Sequence, residues 1–164
     1  MAKGYVTPKY EYYPTPQEAI ESLFSVIGYP SDKYTYCEPC RGESQAIYRH
    51  MPEGSLWAEL TEGVDYLTNG FESDIVITNP PFSLTKEFVT KARSESSCTI
   101  MLQKLTYMAS KGRKKFWNEN KPTSIIVLTE RPTFVEKGTK GMYDYCWYVW
   151  DDANILNLEP FYFT

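Results

Sequence analysis

Histidine is almost absent from this chain, with His50 the single one in 164 residues, and no apolar run is long enough to cross a membrane. The amino end has no apolar stretch behind a basic start, so neither a secretory signal nor a membrane span is expected, and the location expected is cytoplasmic. Basic charge is also short: 17 Lys and Arg stand against 21 Asp and Glu, a net charge of −4. That excludes a strong non-specific nucleic-acid binder, which needs clustered cations, and leaves room for a local basic patch. Cysteine is sparse at four (Cys37, Cys40, Cys98 and Cys146), and Cys37-x-x-Cys40 has no second pair to complete a zinc site. No metal is therefore expected, and the thiols read as reduced. A Gly-x-Gly-x-x-Gly cradle is missing too, which disfavours a dinucleotide. What is plentiful is aromatic, 16% of residues with 14 Tyr, and such side chains fill cores or stack on nucleobases.

The length suits one domain, residues 1–164, with residues 1–14 as an amino-terminal arm. Thr15 and Pro16 open a predicted helix, with Thr15 as its cap and Glu18 as the capping-box partner. Ala19, Ile20, Leu23, Phe24 and Ile27 form its apolar stripe, and Gly28 and Pro30 end it. Short strands are predicted at 34–37, 55–60, 74–78, 98–103, 123–129 and 143–150. Helices are predicted at 44–50, 84–93 and 107–118. Alternating strands and helices imply an α/β fold, a mostly parallel doubly wound sheet. The last two strands lack a helix between them, so an antiparallel C-terminal strand is expected.

In such sheets ligands bind beyond the carboxyl ends of strands, and three ends carry unusual residues. The first runs Glu38-Pro39-Cys40-Arg41-Gly42-Glu43-Ser44, where Gly42 lets the backbone approach a ligand and Glu38 can accept from an ammonium group. The second ends in Glu59-Leu60, and a carboxylate there commonly holds ribose hydroxyls. Asp65, followed by Tyr66, could accept from an adenine amine or simply cap a turn. The third is the apolar run Asp74–Thr78 followed by Asn79-Pro80-Pro81-Phe82. Two prolines make that loop stiff, and the Asn79 side-chain oxygen and the Pro80 carbonyl are acceptors at fixed places. An aromatic amine is a poor nucleophile because its lone pair is delocalised. Two acceptors on its N–H bonds favour the pyramidal nitrogen that attacks a methyl sulfonium. Phe82 offers a stacking face for a flat base.

The Asn-Pro-Pro-Phe loop after an apolar strand resembles motif IV of the adenine-N6 DNA methyltransferases. Tyr13-Pro14-Thr15-Pro16 resembles their motif X, and the stretch from Glu38 to Ser44 their motif I. Glu59 resembles the motif II ribose carboxylate and Asp65 the motif III acid near the adenine of the cofactor. Arg131 to Phe134 and Tyr143 to Trp150 are similar to the tail of short phage and prophage members. The order X, I, IV and then the C-terminal strands resembles that of the γ group of these enzymes. The resemblance implies a Rossmann-like class I methyltransferase fold and S-adenosylmethionine as cofactor. It implies Asn79, Pro80, Pro81 and Phe82 as the catalytic loop. Implied cofactor contacts are Tyr13, Thr15, Pro16, Glu38, Pro39, Cys40, Gly42, Glu59, Leu60, Asp65, Tyr66 and Asn79. Only 14 residues separate Glu59 from Asp74, so a family helix is expected to be lost there and the edge strand shortened or missing. Arg41 and Glu43 stand where smaller residues are common.

No separate target-recognition domain is expected. Lys104, Lys111, Arg113, Lys114 and Lys115 follow the fourth strand, near the rim that carries Asn79, and a nucleic-acid backbone could lie there; Lys121 belongs to the same basic run. The plain alternative is a solvated helix face. The expected activity is methylation of adenine N6 in DNA, by a monomer or homodimer. Alternatives are an RNA base, a protein glutamine amide, or a non-catalytic cofactor- or DNA-binding protein of the anti-restriction kind.

Overall fold

The computed structural model describes residues 13–134 and 141–164. The amino-terminal arm before Tyr13 lies outside them. Seven strands form one sheet: β1 (Tyr36–Glu38), β2 (Leu56–Trp57), β3 (Ser73–Thr78), β4 (Ser96–Lys104), β5 (Ser124–Val127), β6 (Tyr145–Trp150) and β7 (Phe161–Phe163). Their order is β2-β1-β3-β4-β6-β5-β7. The first four strands pair in parallel, whereas β6 runs antiparallel to both β4 and β5. The antiparallel C-terminal strand is thus present, and β7 adds a parallel edge beside β5. The chain leaves β1 for β2 on one side and returns to β3 on the other. The strand order therefore reverses between β1 and β3, where open α/β sheets bind ligands.

Period-two alternation sorts the strand residues onto two faces. Ile75, Ile77, Ile100, Leu102, Trp147 and Val149 join α1 (Gln17–Ile27) through Ala19, Ile20, Leu23 and Phe24. Val76, Met101, Cys146, Tyr148 and Trp150 face the opposite way. There they meet Phe88, Val89 and Ala92 of α2 (Thr85–Glu95), and the side also takes Phe116 and Trp117 of α3 (Lys114–Glu119). Every residue of β6 is buried, as a central strand covered on both faces requires. The Trp147 indole N–H donates to the Ala19 carbonyl at 2.9 Å and ties α1 to the sheet. Asp74 accepts from the Thr35 N–H and hydroxyl at 2.8 and 2.9 Å, pinning the start of β3 beside β1.

Four local expectations are corrected. Thr15 does not cap α1: Pro16 occupies the cap position, extended at φ −60° and ψ 142°, with no side-chain cap bond. Pro16 is itself extended and its carbonyl accepts the first helical bonds, from the Ala19 and Ile20 N–H groups, so the helix starts one residue later, at Gln17. Glu18 accepts instead from the Thr133 N–H. The helix predicted at 44–50 shrinks to a 3₁₀ turn at Tyr48–His50, because Gly42 and Gln45 hold positive φ of 66° and 49°. The helix predicted at 107–118 divides into two 3₁₀ turns and the short α3, since Ala109 turns out of helical geometry at ψ 70°. The strand β7 had no readable pattern at three residues. Between Glu59 and Asp74, where a helix is expected to be lost, the only helical element among the described residues is a 3₁₀ turn, Leu60–Glu62, and the two-residue β2 forms the edge of the sheet.

Candidate functional site

A cavity of about 630 Å³ opens at the carboxyl ends of β1 and β3. Its walls come from the segment at Tyr13–Thr15, the loops after β1 and β2, and the loop after β3. Of the predicted contacts, Tyr13, Thr15, Glu38, Pro39, Cys40, Glu59, Leu60, Asp65, Tyr66 and Asn79 line it. Pro16 is buried as the α1 cap, and Gly42 works from behind the wall.

Gly42 holds φ +66°, which a side chain would resist, and donates its N–H to Glu59 Oε2 at 2.8 Å. The other Glu59 oxygen accepts from the Thr61 N–H and hydroxyl at 3.1 and 2.7 Å. Burial alone would raise the Glu59 carboxyl, but these bonds and the nearby Arg41 charge outweigh it and hold the group below the usual carboxylate range. Arg41, the departure noted above, lies with its guanidinium 3.5 Å from the centre of the Trp57 ring and pairs with Glu62. It thereby packs the short β2 edge where a further strand is missing.

Glu38 is 1% exposed, and its Oε1 has no partner among the described residues. Burial pushes its carboxyl well above the ordinary value, outweighing its neighbours Thr78 and Cys40. A buried acid with an open acceptor beside a cavity suits a cationic ligand group. Asp65 accepts from Leu67 N–H at 2.9 Å and so caps its own turn, while it also borders the cavity. Tyr66 is buried in a stack with Phe71 and Phe88.

At the end of β3 the Asn79 Nδ2 donates to the Tyr13 carbonyl at 2.9 Å. The following turn takes the Pro81 carbonyl through Leu84 N–H at 2.9 Å and the Phe82 carbonyl through the Thr85 hydroxyl at 3.1 Å. No described bond of that turn uses the Pro80 carbonyl. Thr85 is itself braced by Gln103 Nε2 at 2.7 Å. Pro81 lines the cavity, whereas buried Pro80 and half-buried Phe82 do not. The Phe82 ring lies near-parallel to Tyr13, centroids 5.9 Å apart, and packs against Tyr145 and Phe134. The face expected for stacking therefore carries Tyr13. Sequence reasoning missed the apolar walls Ile47, Val64, Leu67, Leu84 and Phe88. Nothing in such residues separates a ligand wall from a core.

The five predicted cations are not equivalent. Lys104 ends β4 with its Nζ 3.7 Å from the Tyr143 ring centre. Arg113 lies over Tyr107 at 3.9 Å and donates to its carbonyl. Lys111, Lys114 and Lys115 are exposed, the last 3.8 Å from Glu119. No described helix is long and apolar enough to cross a membrane.

No protein-family model and no curated protein sequence matches the chain. Among solved structures it is similar to one titled "putative RNA methyltransferase" from Pyrococcus horikoshii, at 18% identity and a TM-score of 0.62, covering 90% of each chain. That likeness is one of fold, and with the strand order above the sheet is a Rossmann-like methyltransferase fold.

Proposed function

We propose that this protein transfers a methyl group from S-adenosylmethionine to a planar exocyclic amine, adenine N6 in DNA being the acceptor that the Asn79 loop supports best. The observation that carries this reading is the placement of Asn79 at the strand-order reversal, on the wall of a cavity of about 630 Å³. Glu38 would hold the methionine ammonium, Glu59 the ribose and Asp65 the adenine amine of the cofactor. The unpartnered Glu38 oxygen and the low-lying Glu59 carboxylate fit those roles. The bound cofactor supplies an electrophilic methyl on sulfur, and the electron pair of the breaking C–S bond leaves with that sulfur.

The chain's own task is to make the acceptor nitrogen nucleophilic. Asn79 Oδ1, on the cavity wall, accepts one amine N–H and draws the lone pair onto nitrogen; Pro80 is buried off that wall, so its carbonyl would accept the second only if the loop shifts toward the acceptor. The new N–C bond leaves a strongly acidic cation, whose proton passes to water without a dedicated base. Asn79→Ala is expected to lower methyl transfer by roughly a hundredfold or more, the scale of losing one preorganised polar group at a reacting centre. Labelled S-adenosylmethionine with purified DNA measures this, and undiminished transfer would remove Asn79 from the reaction.

RNA is the second reading, favoured by the name borne by the structurally similar protein. Parallel assays with DNA, RNA and protein extracts separate the acceptors. Cofactor binding by calorimetry, without transfer to any of them, would instead favour a non-catalytic binder.

A further inference from the structure

The chemistry above needs the oxygen of the Asn79 carboxamide, not its nitrogen, to face the acceptor. The two ends of a carboxamide are nearly the same size, so shape alone does not choose between them. We infer that Tyr13 makes this choice and is a positioning residue for Asn79, an inference that rests on the amine-methylation reading. The Tyr13 carbonyl accepts from Asn79 Nδ2 at 2.9 Å, across 66 residues of sequence. A carbonyl can only accept, so the nitrogen is drawn to it and Oδ1 is turned away from it. Rotating the amide would set two oxygens against each other at hydrogen-bond distance.

Two features hold that carbonyl in place. Tyr13 precedes Pro14, which restricts it to extended backbone and so limits where its carbonyl points. Its ring lies 5.9 Å from Phe82 at an interplanar angle of 11° and meets Phe134 edge-on at 6.4 Å. Phe82 belongs to the same Asn-Pro-Pro-Phe loop, so one residue grips the loop by its ring and orients its amide by its backbone. Tyr13 and Asn79 also both line the cavity. The pair thus couples the segment before α1 to the loop after β3, and the acceptor geometry depends on both.

The inference makes a counter-intuitive statement about Asn79→Asp. A carboxylate offers more acceptors than a carboxamide, so acceptor number alone predicts retained activity. Orientation by Tyr13 predicts the opposite, because one carboxylate oxygen would face the Tyr13 carbonyl with no proton between them. Loss of alignment at a reacting centre costs on the order of tenfold to a hundredfold. Asn79→Asp and Tyr13→Ala are therefore both expected to lose that much in kcat. Tyr13→Phe keeps ring and backbone and is expected to recover most of the kcat that Tyr13→Ala loses.

A second measurement does not depend on turnover. With ¹⁵N-labelled asparagine, the Asn79 side-chain NH₂ signal is assigned by its disappearance in Asn79→Asp. It is expected to exchange slowly with solvent in the wild type and in Tyr13→Phe, and quickly in Tyr13→Ala. Fast exchange in the wild type, or full kcat in Tyr13→Ala or Asn79→Asp, overturns the positioning role. If the wild type transfers no methyl group to any acceptor, the functional reading fails, and the exchange rates still decide whether Tyr13 orients Asn79.

Discussion

At the scale of single residues, the two glutamates of the cavity differ in how far their oxygens are satisfied. Glu59 has three described bonds and a depressed carboxyl, whereas Glu38 is sealed in with an oxygen unpaired and its carboxyl raised by burial. The raised group keeps its proton in the folded chain over a pH range in which the unfolded chain has released it. Stability is therefore lost as pH rises from the ordinary Glu value, about 4.3, through the higher folded value. Glu38→Gln removes that dependence. Thermal melts are expected to converge for the two proteins near pH 4 or below, about where both states hold the proton, and the variant is expected to be the more stable at neutral pH. Melting curves displaced by a constant amount at every pH would contradict the account. Binding of a cationic ligand group beside Glu38 lowers its carboxyl again, so such binding is expected to release a proton in the pH range between the ordinary Glu value and the raised one. Calorimetry in buffers of different ionisation enthalpy detects that release.

At the scale of elements, the strands that were readable in advance are those whose residues alternate between two buried faces. β3, β4 and β6 fall within a few residues of their predicted spans because Ile75 and Ile77, Ile100 and Leu102, and Trp147 and Val149 must all reach the α1 side. The segment at 44–50 is not the expected helix because Gln45 within it holds φ +49° and Gly42 just before it commits its backbone to Glu59, 17 residues away. No local pattern encodes such a bond. α1 depends on the sheet through Trp147, and Trp147→Phe removes the bond to Ala19 as well as part of a fully buried ring. A loss of about 1–3 kcal/mol is expected by denaturant titration, from one hydrogen bond and a small cavity. The loop after β3 depends on the Gln103–Thr85–Phe82 chain of bonds. Thr85→Val keeps the shape and deletes the hydroxyl, so kcat is expected to fall several-fold more than stability would suggest, and Thr85→Ser to recover it. Equal behaviour of Val and Ser variants would assign that chain to folding alone.

At the scale of the whole molecule, a net charge of −4 sets the terms on which a polyanion can approach. Lys111 and Lys114 are exposed cations of the predicted patch, while Lys104 and Arg113 are drawn onto tyrosine rings. If a nucleic-acid backbone lies along this rim, binding weakens with salt, and the Lys111→Ala, Lys114→Ala double variant is expected to reduce the log–log salt slope by about two. Anisotropy titrations over a range of salt measure the slope, and an unchanged value would leave these lysines as a solvated face. The sequence by itself determined the α/β class, the antiparallel turn-back near the carboxyl end, and the strand ends worth inspecting, because alternation, proline and glycine act locally. Tertiary structure alone decided that Tyr13 meets Asn79 and covers Phe82, that Arg41 packs the short edge on Trp57, and that Glu38 is left unpaired. Those facts depend on groups far apart in the chain being brought within a few ångströms, and only the packed sheet sets such distances.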